Sequence, residues 1–304
     1  MKTFAAVAAT LSLLRAVEAV PSHGKKGSAL PTVDLGYEIY QANSLNDTTG
    51  LYNFSNIRYA APPTGENRFS APQPPAENRS TIQVDRPQPI CPQANPLWGL
   101  AVQGFLADYF AGERSFNRSD FEVSLPSELS LDNINLKTLN KSIIPPADPR
   151  TTEDCLFLDV IVPQKIFNNH KKKGRKGRGA AVLVWIYGGG YTAGSKTDNY
   201  NPTGLLARSQ DGDDDDGVIY VAINYRLGAF GWLSGPTFQE NGTANAGLHD
   251  QRFALEWVQK HIGKFGGDPK RVTVFGESAG GGSIMSQITA YGGNKGPAPF
   301  CQVS

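Results

Sequence analysis

The sequence predicts a globular α/β protein with a small N-terminal antiparallel sheet and a central, mostly parallel sheet. Residues 180–187 and 218–224 are continuous apolar runs, which are typical of strands covered on both faces. Residues 250–264 place their apolar side chains along one helical stripe, and residues 271–275 form a further short strand-like run. A second helix is expected at residues 281–291. Strands and helices that alternate in this way favour parallel pairing through right-handed crossovers.

The first 19 residues predict a secretory signal peptide. Lys2 precedes an apolar run at residues 4–14, and the small residues that follow predict cleavage after Ala19. The run is shorter than the roughly 20 apolar residues that cross a bilayer. We therefore expect a secreted, extracellular protein without stable membrane insertion, whose domain occupies residues 20–304. An amphipathic N-terminal helix is the alternative, but no polar residue recurs there at helical spacing.

Sequons and cysteines agree with an oxidising, glycosylating pathway. Six Asn-x-Ser/Thr sequons begin at Asn46, Asn53, Asn78, Asn117, Asn140 and Asn241. Three cysteines are too few for a disulfide scaffold or for a four-ligand zinc site. An oxidising compartment favours one disulfide bridge, which leaves the third cysteine unpaired.

The segments outside the regular strands and helices are of several kinds. Residues 31–90 alternate apolar and polar side chains among many prolines, which predicts short antiparallel strands and loops. Residues 97–110 have helical spacing of apolar side chains, and residues 156–162 are strand-like. The basic run at 170–178 and the acidic run at 211–217 are interpreted as solvated surface loops. Binding of nucleic acid or heparin by the basic run is the alternative.

The charge balance argues against a polyanionic partner. The chain has 29 Lys and Arg against 28 Asp and Glu, a formal net charge of +1 at pH 7. Bulk electrostatics therefore does not favour nucleic acid. The sequence implies no metal and no organic cofactor.

The pentapeptide Gly276-Glu277-Ser278-Ala279-Gly280 is the candidate catalytic motif. It follows a strand-like run and precedes a predicted helix, which is the context of a nucleophile elbow. The serine must adopt a strained backbone there, and side chains at the flanking glycines would collide with neighbouring backbone. Ser278 would then lie at a helix N-terminus that favours a developing oxyanion. The alternative is an ordinary serine in a glycine-rich turn.

The run Tyr187-Gly188-Gly189-Gly190-Tyr191 is the second candidate motif. It follows a predicted strand, where a glycine loop can bring bare amides close to a ligand and supply oxyanion-hole donors. We take the amides of Gly189, Gly190 and Ala279 as the donors. A phosphate-binding loop is the alternative, but neither Gly-Lys-Ser/Thr nor Gly-x-Gly-x-x-Gly is present.

Together these motifs resemble the type-B carboxylesterases, the cholinesterase-like and lipase-containing branch of the α/β-hydrolases, and above all its secreted fungal members. The resemblance extends to Phe300. It rests on residues 56–65 (Asn-Ile-Arg-Tyr-Ala-Ala-Pro-Pro-Thr-Gly) with Arg68-Phe69, and on residues 153–159, 185–191, 224–231, 245–251 and 254–258. It implies the N-terminal portion of an α/β-hydrolase fold, through the nucleophile elbow.

The resemblance also implies roles for individual residues. Ser278 corresponds to the nucleophile that forms the acyl-enzyme with a small-molecule or lipid ester, and Gly189, Gly190 and Ala279 correspond to the oxyanion hole. Cys91 and Cys155 correspond to a disulfide. Residues 97–110 fall inside the bridged loop and are interpreted as a lid or acyl-site wall, with ordinary core packing as the alternative.

The acid and the base of a triad are missing after Ser278. In this fold the order along the chain is Ser, Asp or Glu, then His, but His23, His170, His249 and His261 all precede the serine. The resemblance therefore implies a C-terminally truncated chain that is inactive alone. A non-catalytic, cholinesterase-like binding or adhesion protein and an inactive truncated paralogue are the alternatives. The sequence does not indicate an oligomeric state.

Overall fold

The computed structural model describes residues 30–84, 87–94, 106, 109–112, 115, 148–173, 179–198, 200–212, 217–294 and 296–304. The predicted leader at residues 1–19 and the sequons at Asn117 and Asn140 lie outside the described residues. Most of the predicted helix at 97–110 does so as well.

Two sheets organise the described chain, as the sequence predicts for an α/β protein. The small sheet contains β1 (Thr32–Asp34), β2 (Glu38–Gln41) and β5 (Asn78–Gln83). Strands β1 and β2 are antiparallel, but β5 pairs with β2 in parallel. The expectation of a purely antiparallel small sheet is therefore wrong. Residues 42–77 separate β2 from β5, and a connection of that length allows the chain to return in the same direction.

The central sheet has seven strands in the described part of the chain. Their spatial order is β10 (Gln302–Val303), β9 (Gly267–Gly276), β7 (Ala180–Ile186), β8 (Val218–Ile223), β6 (Phe157–Pro163), β4 (Leu51–Arg58) and β3 (Ser44–Asn46).

The central sheet is mixed along its width. Strands β8, β7, β9 and β10 pair in parallel, whereas β3, β4, β6 and β8 pair antiparallel. The tight turn at residues 47–50 makes β3 and β4 antiparallel, since a short hairpin can join strands in no other way. Parallel pairing is thus confined to the part of the sheet that carries both glycine motifs.

Helices connect and cover these strands. They are α1 (Gln164–Lys173), α2 (Thr203–Arg208), α3 (Gly228–Trp232), α4 (Pro236–Gln239), α5 (Ala246–His261) and α6 (Ala279–Thr289), with 3₁₀ turns at Gly65–Asn67, Ile262–Phe265 and Ala290–Gly293.

The helix predicted at residues 250–264 begins earlier than its apolar stripe. Helix α5 starts at Ala246, and a 3₁₀ turn completes it through Phe265. Gly266 ends this turn with φ at 94°, a left-handed conformation that suits glycine. Gly267 already belongs to β9, so Gly266 alone separates the 3₁₀ turn from the next strand.

The sequence predicts a surface loop for the basic run, and this prediction is wrong for residues 170–173, which belong to α1. The helix is held to the core by two buried side chains, Ile166 and Phe167. The Phe167 ring lies 5.6 Å from that of Tyr52 and 5.5 Å from that of Phe54. This apolar anchor extends the helix into the basic run. In the acidic run, Asp211 and Gly212 are exposed.

A buried histidine at the end of α5 predicts loss of stability in acid. His261 packs against the rings of Tyr37 and Trp257, and its Nδ1 has no hydrogen-bond partner in the described part of the chain. Burial, with a smaller contribution from Lys260 and Lys264, lowers the pKa of His261 to about 4. The unfolded chain takes up this proton near pH 6.5, whereas the folded chain excludes it until about pH 4. Up to about 3 kcal/mol of stability is therefore present above pH 6.5 and is lost as the pH falls from 6.5 to 4.

Urea unfolding between pH 7.5 and 4 measures this loss. In His261→Phe the stability should vary less across that interval, because the substitution removes the titration of His261. The other histidines, His23, His170 and His249, remain in both proteins. Equal pH dependence of the two proteins would show that His261 does not contribute.

Candidate active site

The predicted strand, turn and helix around Ser278 are present. Strand β9 ends at Gly276, and Ala279 begins α6. Ser278 between them has φ 52° and ψ −118°, a strained conformation for a residue with a side chain. A Cβ added to Gly276 would lie 2.6 Å from the carbonyl carbon of Gly280. A Cβ added to Gly280 would lie 2.0 Å from the carbonyl oxygen of Ile186. The two flanking glycines therefore allow the turn to fit against β7.

The Ser278 side chain is exposed and has no hydrogen-bond partner in the described part of the chain. The three described histidines lie at other places. His261 packs against Tyr37 and Trp257, the His249 ring is 6.5 Å from that of Tyr291, and His170 lies in α1. The described residues thus present the serine without an adjacent imidazole.

The triple-glycine loop lies directly against this turn. A Cβ built on Gly188 would be 3.0 Å from the Ser278 Cβ and 2.7 Å from the Glu277 carbonyl oxygen. Gly189 and Gly190 have φ of 99° and 63°, both in the left-handed region. The Gly189 carbonyl accepts hydrogen bonds from two amides further along the loop, at 3.1 Å each. The loop is therefore a compact turn packed beside the serine.

The three candidate oxyanion donors are backbone N–H groups that no described residue engages. The backbone N–H groups of Gly189, Gly190 and Ala279 have no acceptor in the described part of the chain. Two of them lie in a loop that contacts the Ser278 turn, and the third follows Ser278 at the start of α6. Free backbone donors beside a serine can stabilise a negatively charged oxygen.

Glu277 adds a carboxylate next to the loop, a feature that the sequence interpretation missed. It is exposed, and its Oε2 accepts a hydrogen bond of 3.5 Å from the Tyr200 hydroxyl. Burial and then the nearby Glu277 raise the pKa of Tyr200. Glu277 occupies an unspecified position of the Gly-x-Ser-x-Gly motif, and Tyr200 is 77 residues away along the chain. No local pattern could have paired them.

The implied Cys91–Cys155 disulfide is confirmed, with an S–S distance of 2.06 Å. The segment after Cys91 supports the back of the glycine loop. The Gly194 amide donates to Gln93 Oε1 at 3.0 Å, and Gln93 Nε2 donates to the Gly194 carbonyl at 3.3 Å. The Ala94 amide donates to the Thr192 carbonyl at 2.9 Å. Cys301 is free and exposed.

The described sequons differ in exposure. Asn46, Asn78 and Asn241 are exposed, whereas Asn53 lies within β4 and is only partly exposed. Asn53 lines a polar cavity of about 430 Å³ on one face of the central sheet. Lys196 and Asp159 also line this cavity and form a buried ion pair of 2.8 Å.

Few residues of the proposed lid are described. Leu106, Tyr109 and Phe110 are all exposed, and the last two rings are 5.8 Å apart. Exposure argues against core packing at these three positions. The lid itself stays a prediction.

The described residues contain neither a cluster of metal ligands nor a candidate membrane helix. No cluster of three or more His, Cys, Asp or Glu is placed to hold a metal ion. No helix there combines the length and the apolar character that a membrane crossing requires.

The mixed sheet and its strained serine turn define an α/β-hydrolase. Residues 41–295 match the model of the carboxylesterase family, so the chain belongs to this family.

Individual relatives agree with this assignment. The chain is 49% identical over 278 residues to carboxylesterase patB of Penicillium expansum. The aligned region covers 90% of this chain and 47% of that protein. It is 46% identical to a secreted lipase of Arthroderma benhamiae, over 46% of this chain and 27% of that protein. The crystal structure of Aspergillus niger EstA superposes with a TM-score of 0.62 at 32% identity, covering 90% of this chain and 41% of EstA. The chain thus spans about half the length of these relatives or less.

Proposed function

We propose that Ser278 is the nucleophile of a carboxylic ester hydrolase. Its Oγ attacks the ester carbonyl carbon, and the alcohol leaves with a proton. Water then cleaves the acyl-serine ester to release the acid. The observation that carries this proposal is the strained Ser278 packed against Gly188, beside three backbone N–H groups that have no acceptor among the described residues.

The amides of Gly189, Gly190 and Ala279 are proposed as the oxyanion hole. The tetrahedral intermediate carries a negative oxygen, and donors fixed in advance stabilise it more than they stabilise the neutral ester. Loss of one such donor typically costs about 3 kcal/mol of transition-state stabilisation.

A general base is the part of the machinery that the described residues do not bring to Ser278. A serine hydroxyl without a base is a weak nucleophile, and a positioned base typically contributes a factor of about 10² to 10⁴. We therefore propose that this polypeptide reacts slowly by itself and that an added base increases the rate.

Small-molecule or lipid esters are the proposed substrates. A carboxylesterase and a lipase among the relatives support this range, and both act on ester bonds by name. Secretion is proposed from the leader at residues 1–19 and the exposed sequons, and the secreted relative supports it.

Covalent labelling tests the nucleophile. The intact chain is treated with an alkyl fluorophosphonate, with and without imidazole. Serine Oγ forms a bond to phosphorus as fluoride leaves, and the base takes the proton. We expect one slowly formed adduct, located on Ser278 by peptide mass spectrometry. Imidazole should accelerate it by about tenfold or more, because it supplies a base that the described residues do not bring to Ser278.

Two variants control the labelling. Ser278→Ala should abolish the adduct, whereas Ser234→Ala, which removes another exposed serine, should retain it. A chain that stays unlabelled with imidazole, or that is labelled at several serines alike, would contradict the proposal. A non-catalytic binding protein would give that result.

A further inference from the structure

Two buried tyrosines, Tyr187 and Tyr225, form reciprocal hydrogen bonds where the glycine loop begins. The Tyr225 hydroxyl donates to the Tyr187 carbonyl at 2.7 Å, and the Tyr187 hydroxyl donates to the Tyr225 carbonyl at 3.2 Å. The Tyr225 amide also donates to the Tyr187 hydroxyl at 3.4 Å. The two rings are stacked with centroids 4.4 Å apart. Each side chain thus holds the backbone of the other.

The carbonyl that Tyr225 holds belongs to the peptide that opens the loop. A peptide unit is planar, so the direction of the Tyr187 carbonyl fixes the orientation of the bond to Gly188. Gly188 has no space to adjust, since a Cβ there would be 3.0 Å from the Ser278 Cβ. Rotation of this peptide would therefore shift the glycine loop against the nucleophile turn.

The Tyr187 ring contacts the far end of the same loop. A Cβ built on Gly194 would lie 2.6 Å from Cδ2 of this ring. The ring is thus packed between Tyr225 on one face and the end of the loop. The pair therefore supports both ends of the segment that contains Gly189 and Gly190.

The hydroxyls have no role as acids. Burial, first of all, raises the pKa of Tyr187 and of Tyr225 above the ordinary value. Both phenols stay neutral at any ordinary pH and remain hydrogen-bond donors. Two phenylalanines would fill nearly the same volume, so the distinctive contribution of the hydroxyls is the orientation of two carbonyl groups.

We propose that Tyr225 is a positioning residue for the oxyanion hole. Its hydroxyl fixes the Tyr187 carbonyl and thereby aims the Gly189 and Gly190 amides at the developing oxyanion. The inference rests on the proposed function, because it assigns Tyr225 to the same site. Tyr225 does not contact the substrate, and its effect passes through the backbone of the loop.

Tyr59 offers a matched control on the same segment. Its hydroxyl donates to the Asn224 carbonyl at 2.7 Å, the same length as the Tyr225 bond, and its side chain is equally buried. Tyr59 holds the residue before Tyr225 but not the glycine loop. Tyr59→Phe and Tyr225→Phe each remove one buried hydroxyl from a carbonyl, so a purely structural effect should be similar in both.

The test is the kinetics of Ser278 phosphonylation in the intact chain with imidazole. For Tyr225→Phe we expect the limiting rate constant to fall about tenfold. Deleting an oxyanion-hole donor typically lowers the rate by a factor of about 10² to 10³, and a donor that is only misdirected should cost less than that. The half-saturating concentration of the fluorophosphonate should not change. Tyr59→Phe should stay within about twofold of the wild type, with a similar decrease in unfolding midpoint.

Each outcome has a distinct meaning. Equal rate constants for Tyr225→Phe and Tyr59→Phe would overturn the positioning role, whereas absence of labelling in the wild type would overturn the proposed function instead. If Tyr225→Phe does not fold, Tyr187→Phe replaces it, because it removes the reciprocal bond that holds Tyr225. We then expect about a threefold lower rate constant than in Tyr59→Phe, and equality would again contradict the inference.

Discussion

Gly280→Ala is expected to unfold the chain or to destabilise it by more than about 3 kcal/mol. The added Cβ would lie 2.0 Å from the Ile186 carbonyl oxygen and 3.0 Å from that of Tyr187. Both atoms belong to the backbone, so neither can rotate away. Ile186 ends β7 in register with Gly276, and Tyr225 holds the Tyr187 carbonyl. The strain can therefore be relieved only by separating α6 from the sheet.

Gly281→Ala is the matched control, one residue further along α6. Its Cβ would meet only the Gly276 carbonyl oxygen, at 3.5 Å, which is ordinary contact. Alanine favours a helix over glycine by up to about 1 kcal/mol, so this variant should be as stable as the wild type or more stable. Urea unfolding and fluorophosphonate labelling measure both variants. Similar stabilities would show that the close packing of α6 on β7 does not constrain position 280.

The turn that carries Ser278 was predictable because its causes are local. Gly276, Ser278 and Gly280 lie within five residues, and the apolar strand before them sets the direction of the chain. In the structure, a side chain at Gly276 or Gly280 would collide with backbone atoms, so both positions require glycine. Parallel pairing near this turn was predictable as well, since it follows from strands that alternate with helices.

The surroundings of the turn depend on contacts between distant parts of the chain. Gln93 is 101 residues from Gly194, and Tyr225 is 38 residues from Tyr187. Neither pair leaves a periodic pattern, because a single side chain that bonds one carbonyl or amide has no repeat. The parallel pairing of β5 and the helix in the basic run were missed for the same reason. Tertiary contacts, not local preference, decide both.

Asp250→Asn is expected to lower the free energy of unfolding by about 3–5 kcal/mol. Asp250 is fully buried in α5 and accepts from Arg226 Nε at 2.8 Å, from Arg226 Nη2 at 2.7 Å and from the Arg226 amide at 3.1 Å. Arg226 Nη2 also donates to the Ser70 carbonyl at 2.7 Å. The neutral amide would leave a buried guanidinium without a counter-charge, and such a charge costs more than the hydrogen bonds that are lost.

A double-mutant cycle separates the two contributions. If the cost comes from the uncompensated charge, Arg226→Met combined with Asp250→Asn should recover part of the stability that Asp250→Asn loses. The matched control is Asp211→Asn, whose ion pair with Arg208 is largely exposed. We expect no measurable change in the free energy of unfolding for this control. A double variant no more stable than Asp250→Asn would show that lost hydrogen bonds, and not the buried charge, cause the destabilisation.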